Sequence, residues 1–182
     1  MTKRITLVRH GKAAAGWEDA DPPLDDVGVA QAEAMAAAIG GDARPLFVSP
    51  LRRTRETASA LERLWGVDAT VEPGVGEVVA PMEGLDERVG WIGPFLRGTY
   101  AEAGAAYQSW RDSVLAVLRA LPDDAVVVTH FVAINVAIGK AWSDDRVTCQ
   151  PVDNCSITVL EIDDADEWRV IQLGDSAVTK VN

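Results

Sequence analysis

Long hydrophobic runs are missing from this chain: at no point do the about twenty consecutive apolar residues of a membrane-spanning helix occur. The opening Met1-Thr2-Lys3-Arg4-Ile5-Thr6-Leu7-Val8-Arg9 holds too short an apolar stretch for a secretory signal, which predicts a soluble, cytoplasmic protein. Basic residues are few. Seventeen lysines and arginines stand against 28 acidic residues, and the resulting charge of −11 repels a nucleic-acid backbone or an anionic membrane, so neither is an expected partner. Cysteine is nearly absent: Cys149 and Cys155 have no spacing that suggests a zinc site or a disulfide framework, and both are read as reduced and structural. Histidine is equally scarce, occurring only as His10 and His130.

The 182 residues suit a single domain spanning 1–182, a size at which roughly 70% of the surface exposed by the unfolded chain can be buried. Alternating or continuous β-branched runs predict six strands, at Arg4 to Val8, Pro45 to Val48, Ala69 to Glu72, Ala125 to Val128, Ser156 to Ile162 and Trp168 to Leu173. Helical patterns lie between them: Val27 to Ile39, closed by Gly40-Gly41, then Leu51 to Trp65, Ala105 to Leu121, and a short apolar helix over Val132 to Ile138. Strands alternating with helices imply an α/β sandwich. The last two strands flank the acidic turn Asp163-Asp164-Ala165-Asp166 and predict an antiparallel hairpin, hence a mixed sheet.

The stretch from Pro73 to Gly98 breaks this rhythm with six of the fifteen glycines and three prolines. Long connections inside compact domains tend to carry function, and this one is expected to form a partly helical flap over a site; the alternative is a surface insertion of no consequence.

Each histidine ends an apolar strand, in Ile5-Thr6-Leu7-Val8-Arg9-His10 and in Val126-Val127-Val128-Thr129-His130. Ligands of open α/β sheets bind beyond the carboxyl ends of the strands, so two imidazoles delivered there can face each other if their strands are neighbours. Taken singly, a strand-end histidine is more often a hydrogen-bonded structural residue. A third element, Ser49-Pro50-Leu51-Arg52-Arg53-Thr54-Arg55-Glu56-Thr57, reads as a helix start with Ser49 as cap and Pro50 at the first helical position. Three arginines then lie near the positive end of the helix dipole, an arrangement that a bound phosphate would relieve. A solvated basic face explains Arg52 and Arg55 as well.

These residues together resemble the histidine phosphatase and phosphoglycerate mutase superfamily. Arg9-His10-Gly11 is similar to its opening signature, followed in family order by Pro23-Leu24-Asp25 with Gly28 and Gln31-Ala32, by Ser49-Pro50-Leu51-Arg52-Arg53 with Glu56-Thr57-Ala58, and by Val128-Thr129-His130. The resemblance covers nearly the whole chain and implies a three-layer α/β/α sandwich with a mixed, mostly parallel sheet. It further implies a phosphate pocket of Arg9, His10, Arg53 and His130, with no metal and no cofactor. Arg53 is the arginine that matches the family position. Gly11 follows the nucleophile where a side chain would crowd a phosphate, although a plain turn glycine would look the same. Glu77 best matches the family's acid and base, with Glu83 in Met82-Glu83-Gly84 as the rival.

The chemistry those types suit is phosphoryl transfer through a covalent phosphohistidine on His10, with Arg9, Arg53 and His130 on the phosphate oxygens and Glu77 moving the proton. Lys12 and Phe131 depart from common family residues and bear on substrate preference, Phe131 as a residue that narrows the pocket mouth or as the first buried residue of its helix. Trp17, Arg88, Trp91 and Arg97 are candidate flap contacts, with packing as the alternative role of the two tryptophans. The small chain lacks the extra segments of cofactor-dependent mutases and is similar to the small single-domain phosphohistidine phosphatases. The expected substrate is a small phosphomonoester or a phosphohistidine protein. A mutase-type transferase and a catalytically silent phosphate-binding module remain the alternatives.

Overall fold

A computed structural model describes residues 1–14, 19, 21–82 and 84–174. All six expected strands occur: β1 (Thr2–Arg9), β2 (Leu46–Val48), β3 (Thr70–Val71), β4 (Ala125–Thr129), β5 (Ile157–Asp163) and β6 (Trp168–Gln172). They form one sheet in the order β3-β2-β4-β1-β5-β6, in which β3, β2, β4 and β1 pair in parallel while β5 runs antiparallel to both its neighbours. The sheet is therefore mixed and mostly parallel.

Side chains alternate across it. Ile5, Leu7, Ala125, Val127, Leu160 and Ile162 belong to one core, and Val8, Val126 and Val128 to the other. Helices α1 (Asp26–Ile39) and α2 (Arg52–Trp65) cover the second face. The first carries α5 (Ala105–Ala120) and α6 (Phe131–Trp142), completing the three layers. One face of α5 packs on this core: Val114 and Leu118 are fully buried, with Tyr107, Trp110 and Val117 beside them. A sheet with both faces covered explains why β4 reads as unbroken Val rather than as alternation. Among the described residues no helix is long and apolar enough to cross a membrane.

The excursion from Pro73 contains a 3₁₀ turn (Pro73–Val75) and a helix, α3 (Leu85–Arg97), before the short α4 (Tyr100–Ala103). Its start is tied down. Thr129 Oγ1 donates to Val75 O at 2.6 Å, Tyr107 Oη donates to Val79 O at 3.1 Å, and Val75 and Val78 are buried. Two anchors thus flank Glu77.

Candidate active site

Parallel pairing of β1 with β4 sets Arg9 opposite Thr129, so the residue that follows each strand is a histidine at the same sheet edge. The amide of His10 donates to Thr129 O at 3.0 Å, and the two imidazoles meet edge to face with centroids 5.3 Å apart. Adjacency of the two strands, required for the pair to act together, is present.

His10 Nδ1 lies 2.8 Å from the carbonyl of Gly11, an acceptor, and so carries the ring proton. Nε2 therefore keeps its lone pair and accepts from Arg53 Nε at 3.3 Å. Burial holds the His10 pKa down to about 3, with Arg53 and Arg9 acting in the same direction against the Gly11 hydrogen bond. The ring is therefore neutral at physiological pH, with a lone pair on Nε2.

His130 is fully buried and its pKa is pushed well below the usual value by desolvation, then by His10, Arg53 and Arg9. Its Nε2 lies 2.7 Å from Ser49 Oγ. Ser49 is also fully buried, and its hydroxyl has no other partner among the described residues. A hydroxyl that received the ring proton would leave its own hydrogen unsatisfied, at about 1–3 kcal/mol. Ser49 therefore donates to Nε2 and holds the His130 proton on Nδ1, where Glu77 Oε2 lies 3.5 Å away as an acceptor; Arg53 Nη2, itself only a donor, stands 3.4 Å from Nδ1 without bonding to it in this tautomer.

This corrects the reading of Ser49 as a helix cap. Helix α2 begins at Arg52 behind Leu51, and no side chain of its own N-cap residue bonds to it. Asp21 does that work from a distance, accepting from the Arg52 amide at 2.8 Å, while Thr54 Oγ1 bonds back to Ser49 O and Leu51 O. Ser49→Ala is expected to slow turnover about twofold, because losing a bias of roughly 1.4 kcal/mol between tautomers lets the Nδ1-protonated form fall from about nine-tenths to about half of the population. Imidazole ¹⁵N spectra check the cause: the wild type shows His130 protonated at Nδ1, and the variant shows a mixture.

The three arginines separate. Arg53 is 12% exposed and reaches both histidines and Glu77 Oε2, at 3.7 Å, whereas Arg52 is 56% exposed and pairs with Glu56 one turn on. Arg55 is exposed. Arg9 is held by Val152 O at 2.8 Å and by the Phe131 ring, 5.2 Å from its guanidinium carbon, so Phe131 supports Arg9. The Arg9 Nε is buried without a partner among the described residues.

Glu77 follows the 3₁₀ turn and brings its carboxylate between His130 and Arg53. Desolvation raises its pKa, opposed by Arg53, the Val78 amide and Arg9. Its rival Glu83, and Trp17, lie outside the described residues. Lys12 turns away to Asp25, 2.9 Å from its carboxylate, and Asp25 caps α1 through the Gly28 amide.

Several residues quoted only as motif members position the loop that carries His10. Thr57 Oγ1 accepts from the Gly11 amide at 2.9 Å, Gln31 Oε1 from Lys12, and Glu56 Oε2 from Leu24. Asn154, with no signal in the sequence, donates to His10 O at 2.8 Å. The reason for Gly11 also differs from the one expected. A Cβ there would stand 2.6 Å from the Gly28 carbonyl oxygen, and one at Gly28 would stand 2.1 Å from Lys12 O. Two backbones cross at this point, and that crossing demands glycine.

A cleft of about 600 Å³ opens beside Arg53 and Glu77. Trp91 and Arg88 lie in its wall, while Arg97 is exposed and is not among its lining residues.

A family model of the histidine phosphatase superfamily (branch 1) matches residues 5–176. The chain belongs to the histidine phosphatase superfamily. As a member of that superfamily it shares its fold with a mycobacterial hydrolase at 22% identity, over 97% of this chain and all of the other, with a TM-score of 0.73. A phosphoserine phosphatase from Entamoeba histolytica, solved with 3-phosphoglyceric acid, is 20% identical over 95% of this chain and 97% of its own, with a TM-score of 0.72. A mycobacterial glucosyl-3-phosphoglycerate phosphatase in complex with VO3 is 20% identical over 96% and 100%, with a TM-score of 0.71. No curated protein matches this histidine phosphatase superfamily member by sequence.

Proposed function

We propose that this chain hydrolyses a small phosphomonoester, or the phosphohistidine of another protein, through a phosphohistidine formed on His10, without metal or cofactor. The observation that carries the reading is the His10 imidazole. It is neutral, its Nδ1 proton is committed to Gly11 O, and its Nε2 lone pair faces a guanidinium that a phosphate would engage.

In the first step Nε2 attacks phosphorus, an N–P bond forms, and the bond to the leaving group breaks as Glu77 gives that group its proton. Glu77, now a carboxylate, takes a proton from water, whose oxygen attacks phosphorus. The N–P bond breaks and its electron pair returns to Nε2, restoring the neutral ring. Dividing one displacement into two lowers each barrier. Arg53, the unpartnered Arg9 Nε and the His130 Nδ1 proton supply donors for the equatorial oxygens, where most catalysis of phosphoryl transfer is done.

The test is chemical trapping. Brief reaction with a radiolabelled phosphoester, followed by denaturation, is expected to leave acid-labile, base-stable phosphate on the peptide that carries His10, and none on His10→Ala protein. Chelators should leave the rate unchanged and vanadate should inhibit. Label on any other residue, or activity restored by added magnesium or zinc, contradicts the reading.

A further inference from the structure

We infer that the group released from phosphate at this site is apolar, ring-sized and without charge of its own; this rests on the phosphatase reading above and names its substrate class. The cleft beside Arg53 and Glu77 is large enough at about 600 Å³ for a ring substituent. Its wall is apolar on every contributing segment: Val78 and Val79 after the acid, Val89, Trp91 and Ile92 on α3, and Leu51 before α2.

Two of these are left to solvent. Val79 is 74% exposed and Val89 44% exposed, so an apolar surface stands uncovered at the point where a leaving group would project from Glu77. Scattered exposed apolar residues need no explanation, but several lining one concavity next to a phosphate site favour a ligand that covers them. Trp91 is held by Phe95, stacked at 4.6 Å, and by Tyr107 at 5.6 Å, so the indole is a fixed wall rather than a loose side chain.

The charges of the wall favour the same class. Its described cations are Arg53 and Arg88; its charged carboxylate is Asp19, since Glu77 holds its proton when the substrate binds. Asp21 adds a carboxylate 3.8 Å from Arg53. Arg53 serves the phosphate itself, which leaves Arg88, whose Nε–H donates to Met82 O at 3.1 Å, as the single other cation of the described wall. No cluster of surplus cations remains in the described wall to hold the carboxylate of a phosphorylated sugar acid or of phosphoserine. Such a substrate would place its negative charge among Asp19, Asp21 and apolar carbon.

Two primary alkyl esters with similar leaving oxygens isolate this effect: phenethyl phosphate and glycerol 3-phosphate. The expected kcat/KM ratio favours phenethyl phosphate by on the order of 50-fold, the effect of removing roughly 100 Å² of apolar surface from water. Val79→Asp, at a position exposed enough to leave folding intact, is expected to cut that ratio about tenfold, and Trp91→Ala to cut it further. Should Trp91→Ala fail to fold, the Val79 variant decides. Equal or better turnover of glycerol 3-phosphate or phosphoserine overturns the inference, as does a ratio that Val79→Asp leaves unmoved, while labelling of His10 by the same esters would keep the phosphatase reading intact. Absence of His10 label from all of them, p-nitrophenyl phosphate included, overturns both.

Discussion

Arg53→Ala is expected to lower turnover by about 10²- to 10³-fold, the range seen when one directed donor to a developing oxyanion is lost. Arg52→Ala and Arg55→Ala are expected to stay within a few fold of wild type. The contrast follows from geometry. Arg53 lies against both imidazoles and Glu77, so its planar fork reaches His10, His130 and Glu77 together. Arg52 spends its Nε on Glu56, at 2.8 Å, in a largely solvated pair of small energetic weight. Arg53→Lys should recover little, because a single ammonium cannot span the same three groups. Steady-state rates for the four proteins, with thermal midpoints to confirm folding, check the prediction. Equal losses at positions 52, 53 and 55 would mean that a general positive field, not a directed contact, explains the cluster.

Glu77→Gln is expected to slow phosphoenzyme formation from alkyl phosphates by about 10²- to 10⁴-fold, the usual contribution of a positioned general acid. Aryl esters, which expel a stable anion, should lose much less in that step. Water activation needs the same residue as a base, so with p-nitrophenyl phosphate the second step becomes limiting and a burst of nitrophenol precedes a slow steady state. The pH dependence has a definite sign. Burial raises the Glu77 pKa, so the acid form persists to higher pH than for a solvated glutamate, and kcat/KM for alkyl esters should fall as pH rises through that value. His10, held near 3, stays neutral throughout and adds no limb above pH 5. Glu77→Gln should abolish the alkaline limb. If the burst and the limb follow Glu83→Gln instead, the acid is assigned to the wrong glutamate.

What the sequence made legible was mostly what lies close together along the chain. Six strands, four helices and both histidines at strand ends follow from local apolar patterns, because β1 and β4 sit in the middle of the sheet and need apolar residues on both faces. The three arginines after Ser49 looked alike, since all fall within the first turns of one helix, and the family pattern separated them where periodicity could not. Ser49 was misread for the same reason. A serine before proline is a strong local helix signal, and its actual partner is a histidine 81 residues away. The true cap, Asp21, comes from 31 residues upstream of Arg52. Asn154 approaches His10 across 144 residues, and no spacing rule reaches so far.

The crossing of Gly11 and Gly28 makes the aim of the His10 imidazole a property of helix α1 in the outer layer. A methyl group at Gly28 would have to open its 2.1 Å approach to Lys12 O by roughly an ångström, and displacements of about 1 Å at reacting groups can cost on the order of 10²-fold in rate. Since Thr57 and Gln31 clasp the same loop from α2 and α1, the displacement has no slack in which to dissipate. Heritable loss of activity can therefore originate on the outer layer of the sandwich while every residue of the pocket remains chemically intact.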